Sequence, residues 1–142
     1  MVLSLPWIII SLVAYNAIAF FMGSEPPANP ADVFDNTVLF SITMISKSVW
    51  TYNLGHLILT VALITLFVEI LKATRTRSLA ILDHGLSLVI FIVCLIEFLL
   101  VPEAATSLFF FITLIALIDV VAGFSVGIRA ARRDFSFGGG MH

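Results

Sequence analysis

The chain predicts an all-α membrane fold: an antiparallel four-helix transmembrane bundle with a short extracytoplasmic β-hairpin in the first outer loop. Three observations lead there. Four apolar runs, Ser4–Met22, Asn53–Lys72, Leu79–Val101 and Ser107–Ile128, fill most of the sequence. Each is long enough to cross a hydrocarbon core of about 30 Å at about 1.5 Å per helical residue. Of the 142 residues, 61% are hydrophobic and only 11% charged, against about 25% charged in an ordinary soluble domain. A chain this short cannot hide four such runs from water. Finally, every Arg lies just past the second or the fourth run.

Each element has a local cause. Ser4 is placed to cap the first helix and Pro6 to occupy its first turn, where no intrahelical N–H partner is lost. Met22-Gly23, followed by Pro26-Pro27, ends that helix. The proline-rich stretch Gly23–Asn36 reads as an extended loop. Carrying the second helix back to Val38 would make it about 35 residues, too long for one span. The segment Val38–Gly55 is instead rich in β-branched and aromatic residues around a polar Ser46-Lys47-Ser48. That pattern predicts two short strands, near Leu39–Ile45 and Ser48–Tyr52, joined by a tight turn. Pro102 stops the third helix at Val101, and Thr106 or Ser107 caps the fourth. Residues 1–137 form one domain, and Gly138–His142 reads as a flexible tail.

Charge sets the orientation. Lys72, Arg75 and Arg77 follow the second run, and Arg129, Arg132 and Arg133 follow the fourth, whereas the loop after the first run carries Glu25, Asp32 and Asp35 with one Lys47. Basic residues near membrane ends stay in the cytoplasm. Both termini are therefore expected there, in a multi-pass inner-membrane protein. The same six basic residues are candidates for contact with anionic lipid headgroups.

An ionisable side chain inside a span costs several kcal/mol and needs an explanation. The candidates are His56, Glu69, Asp83, His84, Glu97 and Asp119. Glu69, Asp83 and His84 lie about one turn from the cytoplasmic ends of their helices and can snorkel. His56 and Glu97 lie near the outer ends. Asp119 falls nearest mid-membrane by count. Asp83, Ser87, Cys94 and Glu97 keep one face of the third helix, and Ala116, Asp119, Gly123 and Gly127 one face of the fourth. Helix two offers Thr65, Glu69 and Ala73, and helix one Ser11, Tyr15 and Asn16. The stripes suit the hydrogen-bonded interior of a bundle. They also suit a proton or ion path along Glu97, Asp83, His84, Asp119 and Glu69. Gly123-Phe-Ser-Val-Gly127 is a small-xxx-small pattern that lets helix backbones approach closely, so this face is a candidate for helix packing and self-association.

Other chemistry finds no footing. The single Cys94 excludes an internal disulfide or a CxxC redox pair. His56 and His84 differ in predicted depth by about 16 Å, so one chain cannot offer both to one haem. No cofactor, metal cage, phosphate loop, nucleophile–base pair or nucleic-acid-binding pattern is present, and no enzymatic activity is expected.

The segments EILKATRT (Glu69–Thr76), LDHGLS (Leu82–Ser87), EFLLVPEAATSLFF (Glu97–Phe110) and IDVVAGFSVGIRAARRD (Ile118–Asp134) resemble an uncharacterised family of small four-span inner-membrane proteins of alphaproteobacteria. The resemblance covers the second to fourth runs and implies a bacterial inner-membrane location, but no activity. Taken together, the expected function is structural or accessory: a membrane protein that meets lipid and associates with itself or with a larger membrane complex. A small transporter or ion pathway is the alternative.

Overall fold

Asn53 organises the most unexpected part of the molecule. It is the last residue of a β-strand and also the N-cap of the helix that follows, its side chain accepting the His56 N–H at 2.8 Å. The His56 imidazole reciprocates by accepting the Asn53 N–H through Nδ1 at 3.2 Å, which completes a capping box.

The computed structural model describes residues 5–22, 29–74 and 80–137, and the side chains within them except at 80–83 and 130–137. The fold is mostly helical. In chain order it comprises α1 (Ile8–Met22), α2 (Pro30–Asn36), β1 (Val38–Thr43), β2 (Val49–Asn53), α3 (Leu54–Ala73), α4 (Ala80–Leu100), a 3₁₀ turn (Pro102–Ala104) and α5 (Ser107–Phe137). Of these, α3 and the segment Ser107–Arg129 of α5 are long and apolar enough to cross a membrane.

Several boundaries depart from the sequence reading. The first helix starts at Ile8; Pro6 and Trp7 form a lead-in turn, with Ile9 N–H on Pro6 O and Ile10 N–H on Trp7 O. Ser4, the expected cap, lies outside the described residues. The expected extended loop contains α2 instead. Asn29 Oδ1 accepts the Ala31 N–H at 3.2 Å, and Pro30 takes the first helical position. Phe34 on this short helix is fully buried, and that tertiary contact outweighs the turn-forming composition around it. Residues 23–28 are outside the described set.

The two expected strands are present as an antiparallel pair, with Phe40 opposite Tyr52 and Ile42 opposite Trp50. The first ends at Thr43, two residues earlier than expected. The connection returns through a tight turn: Lys47 N–H bonds Met44 O, Met44 N–H bonds Ser48 O, and Lys47 takes a left-handed φ of 67°. A type I turn closed by a left-handed residue is a common three-residue hairpin loop.

The last helix outruns its expected end at Ile128 by continuing to Phe137. Arg129, Arg132 and Arg133 therefore sit on the helix and not in a segment after it. Ala and Arg sustain a helix well, and nothing after Gly127 breaks it. The tail 138–142 lies outside the described residues.

α5 is the hub. It packs closely against both α3 and α4, and α1 lies on α3 and touches α5. The buried stripe of α3 runs Gly55, Ile58, Ala62, Thr65, Leu66 and Glu69. α5 buries a wider face that includes Phe109, Ile112, Ile115, Ala116 and Val120. The opposite faces are exposed and apolar: Phe21 is 84% exposed, Phe67 61% and Leu100 75%. The polar stripe foreseen on α4 points inward, with Ser87 and Cys94 buried.

Candidate functional site

The inward ionisable residues with described side chains fall into two centres, one toward each end of the helices. The first lies where α3 ends and α1 begins. Glu69 is buried, and its Oε1 accepts the backbone N–H of Trp7 at 2.7 Å. Trp7 precedes the first turn of α1, where N–H groups lack intrahelical partners and the helix dipole is positive. Glu69 thus caps α1 from a different helix. Lys72, one turn on, donates to both Glu69 oxygens at 3.0 Å. Packing against α1 brings the Glu69 carboxylate inside, and the Lys72 ammonium pairs with it.

Asp119 belongs to this same centre. It is 6% exposed, with the Ser87 hydroxyl beside it and Glu69, Lys72 and His84 within electrostatic reach. By count it belongs mid-way along the fourth run. In the fold, Glu69 and Lys72 near the end of α3 lie within electrostatic reach of it.

His84 projects from α4 onto the Gly123 and Gly127 backbone of α5, with its ring 5.9 Å from that of Phe124. A Cβ on Gly123 would come within 2.8 Å of His84 Cε1 and closer still to Nδ1. The glycines do serve helix packing, but the cleft they open is filled by a ring of the same chain. Asp119 Oδ2, His84 Nε2 and Ser11 Oγ are buried and have no hydrogen-bond partner among the described residues.

The second centre lies at the hairpin end. Tyr15 is fully buried and stacks on Phe34 at 4.6 Å, with Phe109 edge-on at 4.8 Å. Its hydroxyl donates to Glu103 O at 2.8 Å and lies 2.7 Å from Thr106 Oγ1, and Thr106 also caps α5 by accepting the Phe109 N–H. Glu97 on α4 faces the Asn16 side chain of α1, close to Cys94 and Tyr15. His56 stands apart as an exposed capping residue.

Between the centres the inward positions carry no carboxylate or imidazole among the described residues: they are Ser11 and Leu12 on α1, Ala62 on α3, and Ile112, Ile115 and Ala116 on α5. Thr65 and Thr113 fall in the same region. Each spends its hydroxyl on a carbonyl of its own helix, Ala62 O and Phe109 O respectively. The candidates Glu97 and Asp119 are therefore not brought together, whereas Asp119, His84 and Glu69 are. Asp83, Arg75, Arg77, Arg132 and Arg133 have no described side chains, and Arg129 is exposed on α5. Among the described residues no group of His, Cys, Asp and Glu is arranged to hold a metal ion.

Sequence reasoning missed Phe34 and Thr106 as members of the second centre and the Trp7 amide as the target of Glu69. The i, i+3 spacing of Glu69 and Lys72 was a readable signal for their pairing. No family model matches the chain, and neither does any curated protein or solved structure.

Proposed function

We propose that the chain is a four-span inner-membrane protein with both termini cytoplasmic and a structural or accessory role in a membrane assembly. One observation carries this reading: the molecule is inverted relative to a soluble domain. The carboxylates of Glu69 and Asp119 are buried, while Phe21, Phe67, Val89, Leu99, Leu100, Val121 and Ile128 face outward. Water-soluble monomers rarely expose contiguous apolar patches above a few hundred Å². Lipid tolerates such a surface without cost.

α3 and α5 supply two spans, and α4, with 21 residues, extends about 31 Å. α1 has 15 residues and extends about 22 Å. Its lead-in turn carries Trp7, an interface-seeking side chain, and the Glu69 cap holds that end at the level of the last turn of α3. The basic ends of α3 and α5 and the start of α1 then share the cytoplasmic side. The resemblance to small inner-membrane proteins agrees with this placement.

An accessory role is favoured over conduction because the two centres are parted by a layer, from Leu12 to Ile115, whose described residues include no carboxylate or imidazole. Association with a second copy or a larger complex falls to the free strand edges of the hairpin, since the glycine face is filled. The proton-path alternative is favoured by one feature, the buried Asp119 Oδ2 and His84 Nε2, which have no hydrogen-bond partner among the described residues. Reconstitution into liposomes separates the two readings. The accessory reading expects no proton flux above empty vesicles and a stable oligomer or co-purified complex in mild detergent. A flux abolished by Asp119→Asn and Glu97→Gln would overturn it in favour of the pathway.

A further inference from the structure

The hairpin is exposed on both faces, and the two faces differ. Strand alternation puts Phe40 and Ile42, with their partners Tyr52 and Trp50, on one side, and Ser41 and Thr43, with their partners Thr51 and Val49, on the other, which is polar apart from Val49. On the first side the aromatic rings form one cluster: Phe40 stacks on Tyr52 at 4.8 Å, and Trp50 sits edge-on to Tyr52 at 5.7 Å. These side chains remain about half exposed, Phe40 at 46% and Trp50 at 44%. On the second side Ser41 Oγ donates to Thr51 Oγ1 at 3.4 Å.

The aromatic side is joined to the outward face of α3. The Tyr52 hydroxyl donates to His56 O and lies 2.7 Å from Thr60 Oγ1. Thr60 begins the exposed stripe that continues through Leu63, Phe67 and Leu71. With Asn53 closing β2 and capping α3, strand and helix form one continuous unit. The aromatic face is therefore the upper end of the same surface that α3 presents to hydrocarbon. It lies at the end of α3 opposite the basic residues.

We propose that this face is a membrane-interface anchor: the hairpin lies on the outer leaflet, with Phe40, Ile42, Trp50 and Tyr52 in the headgroup–acyl boundary and Ser41, Thr43 and Thr51 toward water. The partner is the phospholipid surface itself. Trp and Tyr are favoured at that depth because their rings are apolar and their N–H and O–H groups stay wet. A two-stranded hairpin is marginal on its own in water, and seating one face in lipid supplies the missing packing layer. The inference rests on the membrane reading above.

The test uses full-length protein with Trp7→Phe, which leaves Trp50 as the one tryptophan. It is reconstituted into phosphatidylcholine bilayers carrying bromines at either the 6,7 or the 11,12 acyl carbons. The proposal expects Trp50 emission to be quenched more by the shallow bromines than by the deep ones. The corresponding insertion is about 5–10 Å into the boundary, as for other interfacial amphipathic elements. Quenching by aqueous iodide with none by bromolipid would put the hairpin in water and overturn the proposal. Shielding from both quenchers would mean that protein, such as a second copy, covers the face, and would overturn it equally. A control, Phe67→Trp in a Trp7→Phe/Trp50→Phe background, reports the α3 stripe. Deep-bromine quenching there with none at Trp50 rejects the anchor alone. No quenching at either site rejects the membrane reading itself.

Discussion

Replacing Gly123 by alanine tests the central packing claim, that His84 fills the glycine cleft of α5 from within the same chain. An alanine Cβ at 123 would sit 2.8 Å from His84 Cε1 and nearer still to Nδ1, whereas at 127 the closest ring atoms are 3.7 Å away. The first contact forces the ring aside; the second is ordinary packing. Overpacking of this kind costs about 1–3 kcal/mol, and exchanging Gly for Ala within a helix returns up to about 1 kcal/mol. Gly123→Ala should therefore lose up to about 2 kcal/mol net, and Gly127→Ala should range from neutral to about 1 kcal/mol more stable. Because the clash is with His84, removing the ring should reverse the sign. In a His84→Ala background, Gly123→Ala becomes neutral or stabilising, with a coupling of about 1–3 kcal/mol in the double-mutant cycle. Reversible unfolding in mixed detergent–SDS micelles measures all four corners. Equal effects at 123 and 127, or a Gly123→Ala penalty that persists without His84, would refute the intrachain packing. Such a result would return the glycine pair to a face between separate molecules.

Other perturbations test the remaining contacts. Glu69→Ala should destabilise by about 2–3 kcal/mol, because it removes a charged acceptor from the Trp7 N–H and strands Lys72; Glu69→Gln should cost less, since its amide oxygen still accepts the Trp7 N–H, and equal losses in SDS titrations would argue against the cap. Tyr15→Phe keeps the stack with Phe34 and loses the bonds to Glu103 O and Thr106 Oγ1, so a loss of about 1–2 kcal/mol in the same assay is expected. Asn53→Ala should cost about 0.5–2 kcal/mol through the lost helix cap; faster hydrogen exchange at the His56 amide locates the effect. Lys47→Gly relieves a left-handed residue and should stabilise the turn by about 1 kcal/mol, read as slower exchange at the Met44 amide.

The positions of the long helices were legible because the signal is local. An apolar run and the Pro or Gly that ends it need only near neighbours to act, and α3 and α4 fall within a residue or so of the expected bounds. The hairpin was legible for the same reason: β-branched and aromatic residues around a polar turn have few other ways to sit. The inward direction of Ser87, Cys94 and Asp119 followed from helical periodicity. What periodicity cannot supply is the offset between helices. That offset decides whether Asp119 is isolated mid-way or comes within electrostatic reach of Glu69 and Lys72, and whether the cleft of Gly123 is filled by His84.

The sequence by itself determined that the chain is helical and apolar, with a short β-hairpin between its first two apolar runs, because composition, spacing and turn chemistry act within a few residues. Tertiary structure alone decided that Phe34 belongs to a helix lodged against Tyr15, that Glu69 caps a helix sixty-two residues away, and that His84 fills the cleft at Gly123. Each of these depends on how helices slide and rotate against one another. Side-chain shape and unsatisfied backbone groups set that register, and neither is visible until the elements are packed.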